Sequence, residues 1–231
     1  MATLVRGGFL FMHIPKTGGS WVRHVLRQQE LVKMEWPHPH PDMTRVLNTP
    51  RMYPKHFLKQ SVKHRSLTLY QEIRNSYKFC FVRNPFSWYE SYWRFMTGLK
   101  WKSFHEERQQ EYQHLLKTPW HPNAYFESIG SDDFNVFMQA VIDTYPGYLT
   151  QMYGWYAPPD SIDFIGRTET LVDDLVEVLH EINSDLNEEA IRNTSRVNTS
   201  PKRIDKPEWD TSIRKSIRRL EAPIFERFGY T

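Results

Sequence analysis

One cysteine, Cys80, stands among 231 residues, so no intramolecular disulfide can form. Its neighbours Phe79, Phe81 and Val82 make it a buried strand residue rather than a nucleophile. A lone thiol fits a reducing compartment. No apolar run approaches the ~20 residues needed to cross a bilayer. The N-terminal region has no signal-peptide pattern, its only apolar run being strand-sized. Together these absences make a cytoplasmic protein without a membrane span the expectation, although a luminal domain cut from its anchor would read the same. Without an export signal, the sequons Asn193-Thr194-Ser195 and Asn198-Thr199-Ser200 are taken as chance. There is no dense basic run, and the formal charge is only +3, so nucleic acid is not an expected partner. Internal repeats and low-complexity segments are also missing.

What is present is an ordinary globular balance with 15% aromatic residues, enough for one sizeable α/β domain. Residues 8–14 read as a buried strand and residues 19–29 as the helix after it, with Trp21, Val22, Val25 and Leu26 on one face. Residues 36–54, rich in Pro, His and Asn, read as a loop. A helix over 67–75, a strand over 77–82 and a helix opened by Pro85 follow. Further on come a helix over 132–141 capped by Ser131, a strand over 162–165, and an amphipathic helix capped by Thr168. The chain ends in a helical tail over 207–228 bent at Pro223. Alternating strands and helices predict a three-layer α/β/α fold with a mostly parallel central sheet. Ligands of such sheets sit at the carboxyl ends of strands, which directs attention to residues 15–20 and 83–85.

The first of these loops reads His13-Ile14-Pro15-Lys16-Thr17-Gly18-Gly19-Ser20-Trp21. A strand entering a glycine pair and then a helix has the makings of a phosphate cradle. Backbone amides and the positive end of the helix dipole favour an anion. Lys16 adds a positive charge, and Thr17 and Ser20 add hydroxyls. Walker A loops place four residues between a Gly and Gly-Lys-Ser/Thr; here the lysine precedes the glycines, which counts against a P-loop kinase or NTPase.

This loop resembles the 5′-phosphosulfate-binding loop of the PAPS-dependent sulfotransferases, of carbohydrate-type and bacterial kinds. Residues 77–95 resemble that family's second element, a strand followed by Arg-Asn-Pro and a helix. The resemblance implies a P-loop-like nucleotide-binding core over about residues 8–98 and 160–231. A helical insertion over about 97–160 would shape the acceptor site. It implies PAPS as sulfuryl donor, PAP as product and no metal. Lys16 would face the departing 5′-phosphate oxygen, with Thr17, Gly18, Gly19 and Ser20 as the cradle. Trp21 would stack on adenine or else pack in the core. Arg83 and Ser91, eight positions later, would hold the 3′-phosphate. The glycine-rich C-terminal phosphate motif of cytosolic members is missing, and Lys202 and Arg203 are the residues that would stand in for it.

The acceptor's base is assigned to His64, in Lys63-His64-Arg65-Ser66, because many relatives carry a His at about this place. His13, His38, His40, His56 and Glu90 are its rivals, His13 serving architecture more than chemistry. His38-Pro39-His40-Pro41-Asp42 reads as an extended loop rather than a metal site, since no further ligand pair completes four-coordination. The acceptor, a glycan or a small hydroxylated metabolite presenting a hydroxyl or amine, would meet Trp101, Trp120, His121, Tyr148, Gln151, Tyr153, Trp155 and Tyr156, unless these simply build a core. A P-loop kinase or NTPase and a non-catalytic nucleotide-binding module on the same fold are the competing readings.

Overall fold

A computed structural model describes residues 1–38, 40–98, 101, 121–182, 186–195, 197 and 205–231. In chain order the described elements are β1 (Thr3–Val5), β2 (Phe9–Met12), α1 (Gly19–Gln28), β3 (Val32–Glu35), α2 (Met43–Leu47), α3 (Thr49–Met52), α4 (Pro54–Lys63), α5 (Leu69–Asn75), β4 (Tyr77–Val82) and α6 (Pro85–Gly98). They continue with α7 (Asn123–Phe126), α8 (Phe134–Thr144), α9 (Tyr148–Tyr156), β5 (Phe164–Arg167), α10 (Leu171–His180), α11 (Glu188–Arg192), α12 (Thr211–Leu220) and α13 (Ala222–Arg227). By its internal contacts the chain divides into two compact units, Met1–Val82 with Gly154–Asn198, and Arg83–Tyr153 with Thr199–Thr231.

The first unit holds a five-stranded sheet in the order β3-β1-β2-β4-β5. β4 runs parallel to both β2 and β5, with Met12 opposite Cys80 and Val82 opposite Arg167. β1 joins antiparallel to β2 and to β3. The parallel centre matches the expected fold. The two antiparallel strands were not foreseen, because three or four residues carry too little alternation to register as a pattern. On one face Phe9, Phe11, Phe79 and Phe81 pack with Trp21, Val22, Val25 and Leu26 of α1 and Leu175, Val176 and Leu179 of α10. Leu10, Met12, Cys80 and Val82 point the other way and are equally buried, so helical layers cover both faces, as near-continuous apolar strands require. Gly166 in β5 has to be glycine: a Cβ there would lie 2.5 Å from the Phe81 ring.

Residues 36–38 and 40–42 are irregular as expected, but from Met43 on the segment is helical rather than the loop that its composition suggested. Asp42 caps α2 by accepting from the Arg45 amide at 2.9 Å, and Pro50 and Pro54 open α3 and α4. Proline in a first turn loses no helical hydrogen bond, so it starts these helices instead of breaking them. Thr168 does not cap α10 either. Its hydroxyl donates to the Val82 carbonyl at 2.9 Å, and a single 3-10 turn, Thr168–Thr170, precedes the helix.

The second unit is built on aromatic rings. On α6, Trp88, Tyr89, Tyr92 and Met96 are buried, with Trp88 stacked on Tyr92 at 5.5 Å and 6°. Phe126 of α7 fills the centre, 4.4 Å from the Tyr148 ring and 5.6 Å from Phe137. α8 is capped by Asp133 rather than Ser131, its carboxylate accepting from the Asn135 and Val136 amides. The tail breaks at Glu221, with Pro223 in the first turn of α13. The Glu221 carboxylate is fully buried. It accepts from Tyr89 Oη at 2.6 Å, from the Leu149 and Thr150 amides at 3.1 and 2.8 Å, and from Thr150 Oγ1 at 2.7 Å. A carboxylate at the start of α9 thus takes up its orphan amides and complements its dipole.

Candidate active site

β2 ends at Met12 and the chain turns through Pro15 and Lys16 into α1. Thr17 Oγ1 donates to the Ile14 carbonyl at 3.0 Å, which closes the loop on itself. That hydroxyl's proton is therefore committed to loop closure rather than held for an anion. Gly18 is the N-cap in the left-handed region at φ 80°, and its carbonyl accepts from the Trp21 and Val22 amides at 2.9 and 3.2 Å. The amides of Gly19 and Ser20 open the helix ahead of those first bonds, which is where an anion is favoured. A Cβ on Gly19 would fall 1.9 Å from His13 Cδ2, and one on Gly18 would fall 2.5 Å from Leu171 Cδ2. His13 is buried, stacked on Phe11 at 6.0 Å and tilted on His40 at 4.6 Å, so it shapes the loop from beneath. Lys16 itself lies at φ 65° and is half-buried.

Trp21 packs in the core. It belongs to the cluster of Val22, Val25 and Leu26, and its Nε1 donates to the Thr194 carbonyl at 3.2 Å. Of its two readings, adenine stacking and core packing, the structure has the second.

In the other unit, Arg83 and Asn84 precede α6. Asn84 starts that helix, its Oδ1 accepting from the Phe86 amide at 3.0 Å and its carbonyl from the Trp88 amide at 2.8 Å. The Arg83 side chain is half-buried and Ser91 is buried on α6. Glu90 beside it accepts from Trp209 Nε1 at 2.8 Å and has Lys206 Nζ at 3.7 Å. Trp101, His121, Tyr148, Tyr153 and Tyr156 are buried, Trp155 is half-buried and Gln151 is exposed. The buried aromatics of this set therefore build core, and Trp120 lies outside the described residues.

The sulfotransferase family model matches residues 5–230. The chain belongs to the sulfotransferase family. No curated protein and no solved structure matched it. Membership makes the protein a transferase of the sulfotransferase class and displaces the kinase reading.

Within this sulfotransferase the structure does not bring His64 to the loop. His64 follows α4 and lines a cavity of about 320 Å³ with Gly7, Gly8, Lys33 and Glu72. Gly7 and Gly8 lead into β2 at its amino end, whereas Pro15 and Lys16 follow its carboxyl end. The strand between them spans roughly 10 Å at ~3.3 Å per residue. Burial, followed by the charges of Lys63 and Lys33, lowers the His64 pKa, and Lys33 is itself paired with Glu72. Lys202 and Arg203 lie outside the described residues. Among the described residues no cluster of His, Cys, Asp or Glu is placed to hold a metal ion. Also among them, no helix is long and apolar enough to cross a membrane. Sequence reasoning put Tyr153 with the acceptor-facing aromatics and missed its tie to the Arg83 backbone, which its hydroxyl bonds on both sides at 3.0 Å.

Proposed function

We propose that this sulfotransferase moves a sulfuryl group from PAPS to a hydroxyl or amine of a glycan or small hydroxylated acceptor and releases PAP. One observation carries the reading. β2 and β4 are parallel and in register, so both leave the sheet at the same edge, β2 into Lys16-Thr17-Gly18-Gly19-Ser20 and β4 into Arg83-Asn84-Pro85. Each of the two motifs that resemble the family's donor-binding elements therefore follows the carboxyl end of a central strand, where open α/β sheets bind ligands.

PAPS supplies the activated sulfuryl group. The amides of Gly19 and Ser20 suit its 5′-phosphosulfate, because the start of α1 leaves them without helical acceptors. Lys16 is the cation for the bridging oxygen on which charge builds as the sulfuryl group departs. Arg83, with its guanidinium fork, and Ser91 are assigned to the 3′-phosphate. Each set of residues has the chemistry suited to an anionic group, and PAPS carries such groups at two ends. Trp21 is left out of the donor contacts because it is core. His64 is left out as the base because it sits at the opposite edge of the sheet.

The test is thermal. PAP at about a hundred times its Kd should stabilise the protein by about 2.7 kcal/mol, well above the effect of ATP at equal concentration. An unchanged melting temperature with millimolar PAP would remove the donor assignment.

A further inference from the structure

Arg83 stands one residue beyond the end of β4, where the ladder no longer sets its backbone. The Tyr153 side chain bonds it there. The Tyr153 hydroxyl accepts from the Arg83 amide and donates to the Arg83 carbonyl, both at 3.0 Å. One O–H thus satisfies the peptide groups on both sides of the Arg83 Cα and fixes its two soft torsions. The phenol is buried, with its ring edge-on to Phe228 at 5.7 Å.

Tyr153 is held in turn. It rides on α9, whose first amides, at Leu149 and Thr150, are gripped by Glu221. Glu221 also accepts from Tyr89 on α6, the helix that begins two residues after Arg83. α9 is therefore tied to this segment at two points, one on each side of the Asn84-Pro85 turn. A guanidinium recognises phosphate with a rigid fork, so its accuracy is limited by the backbone that carries it.

We propose that Tyr153 is a positioning residue, setting the Arg83 backbone so that the guanidinium selects nucleotides carrying a 3′-phosphate. This rests on the PAPS reading above and extends it to a residue 70 positions away in sequence.

PAP and adenosine 5′-phosphate differ only in the 3′-phosphate, so their affinity ratio isolates the effect. General loosening of the fold weakens both alike. Calorimetry on the wild type and on Tyr153→Phe, with donor kinetics alongside, makes the comparison. Losing two hydrogen bonds should weaken PAP about ten- to thirtyfold and adenosine 5′-phosphate less than about threefold. The KM for PAPS should rise while kcat stays within about threefold. Phe228→Leu, which keeps the Tyr153 hydroxyl and loosens the packing of its ring, should show a smaller loss in the same direction. It carries the test if Tyr153→Phe does not fold. An unchanged PAP to adenosine 5′-phosphate ratio, or an equal loss for both, overturns the inference. A wild type with no preference for PAP overturns the PAPS reading itself, which is a separate result.

Discussion

Gly18 and Gly19 are glycines for different reasons. Gly18 needs the left-handed backbone at φ 80° that lets a helix begin abruptly, while Gly19 needs the missing Cβ, because the His13 imidazole occupies that space. Between strand and glycines sits Lys16, at φ 65°, a conformation that costs a non-glycine residue about 1–2 kcal/mol. Glu30, Arg65, Trp101 and Asp160 share the left-handed region, so it marks a turn at Lys16 and not by itself a site. Lys16→Ala should lower kcat by about a hundredfold or more. Binding of PAPS in the absence of acceptor should stay within about threefold, because the interaction strengthens only as charge develops on the departing oxygen. Single-turnover rates and calorimetry with PAPS, acceptor absent, check both halves. The strand, glycine pair and helix around Lys16 were legible in the sequence, since all three are local. The fate of Trp21 was not: whether an indole faces ligand or core depends on α10 and Thr194, more than a hundred residues away.

At the scale of elements, two devices govern how helices begin. Prolines at the first turns of α3 and α4 start helices where composition alone suggests a loop, and Pro223 sits in the first turn of α13 where the helical tail bends. Glu221 starts α9 from a distance, with a buried carboxylate that gathers two amides and two hydroxyls. Its loss strands four donors in an aromatic interior. Glu221→Ala should cost about 3 kcal/mol or more, read from urea midpoints, because each orphaned buried donor costs about 1–3 kcal/mol. Glu221→Gln, which keeps two acceptor lone pairs but adds donors, should cost less. Equal stability of all three proteins would show the carboxylate to be replaceable. No pattern in the sequence marks Glu221, since its partners are 71 or more positions away.

At the scale of the whole molecule, the sheet decides what shares an edge. His64 lies where β2 begins, with a consequence for pH. Burial, then Lys63 and Lys33, lowers its pKa in the folded protein, and burial likewise lowers that of His56. The unfolded chain therefore takes up these protons first, near pH 6.5, so stability is full above that pH and falls as pH drops towards the folded-state values. The melting temperature should decline between pH 7 and pH 5.5, and His64→Gln should decline less steeply. Parallel curves would detach His64 from the effect.

The sequence by itself determined the central strands, the cradle loop and the Arg-Asn-Pro turn, because contiguous apolar residues and turn chemistry act within a few positions. Only the tertiary structure decided that β1 and β3 extend the sheet antiparallel, that His64 sits away from Lys16, and that Tyr153 and Glu221 hold the segment bearing Arg83. These outcomes depend on strand direction and on contacts dozens of residues apart, which local pattern does not encode. A motif can therefore announce its chemistry in sequence, while the hydrogen bonds that hold it in place are settled only when the chain closes on itself.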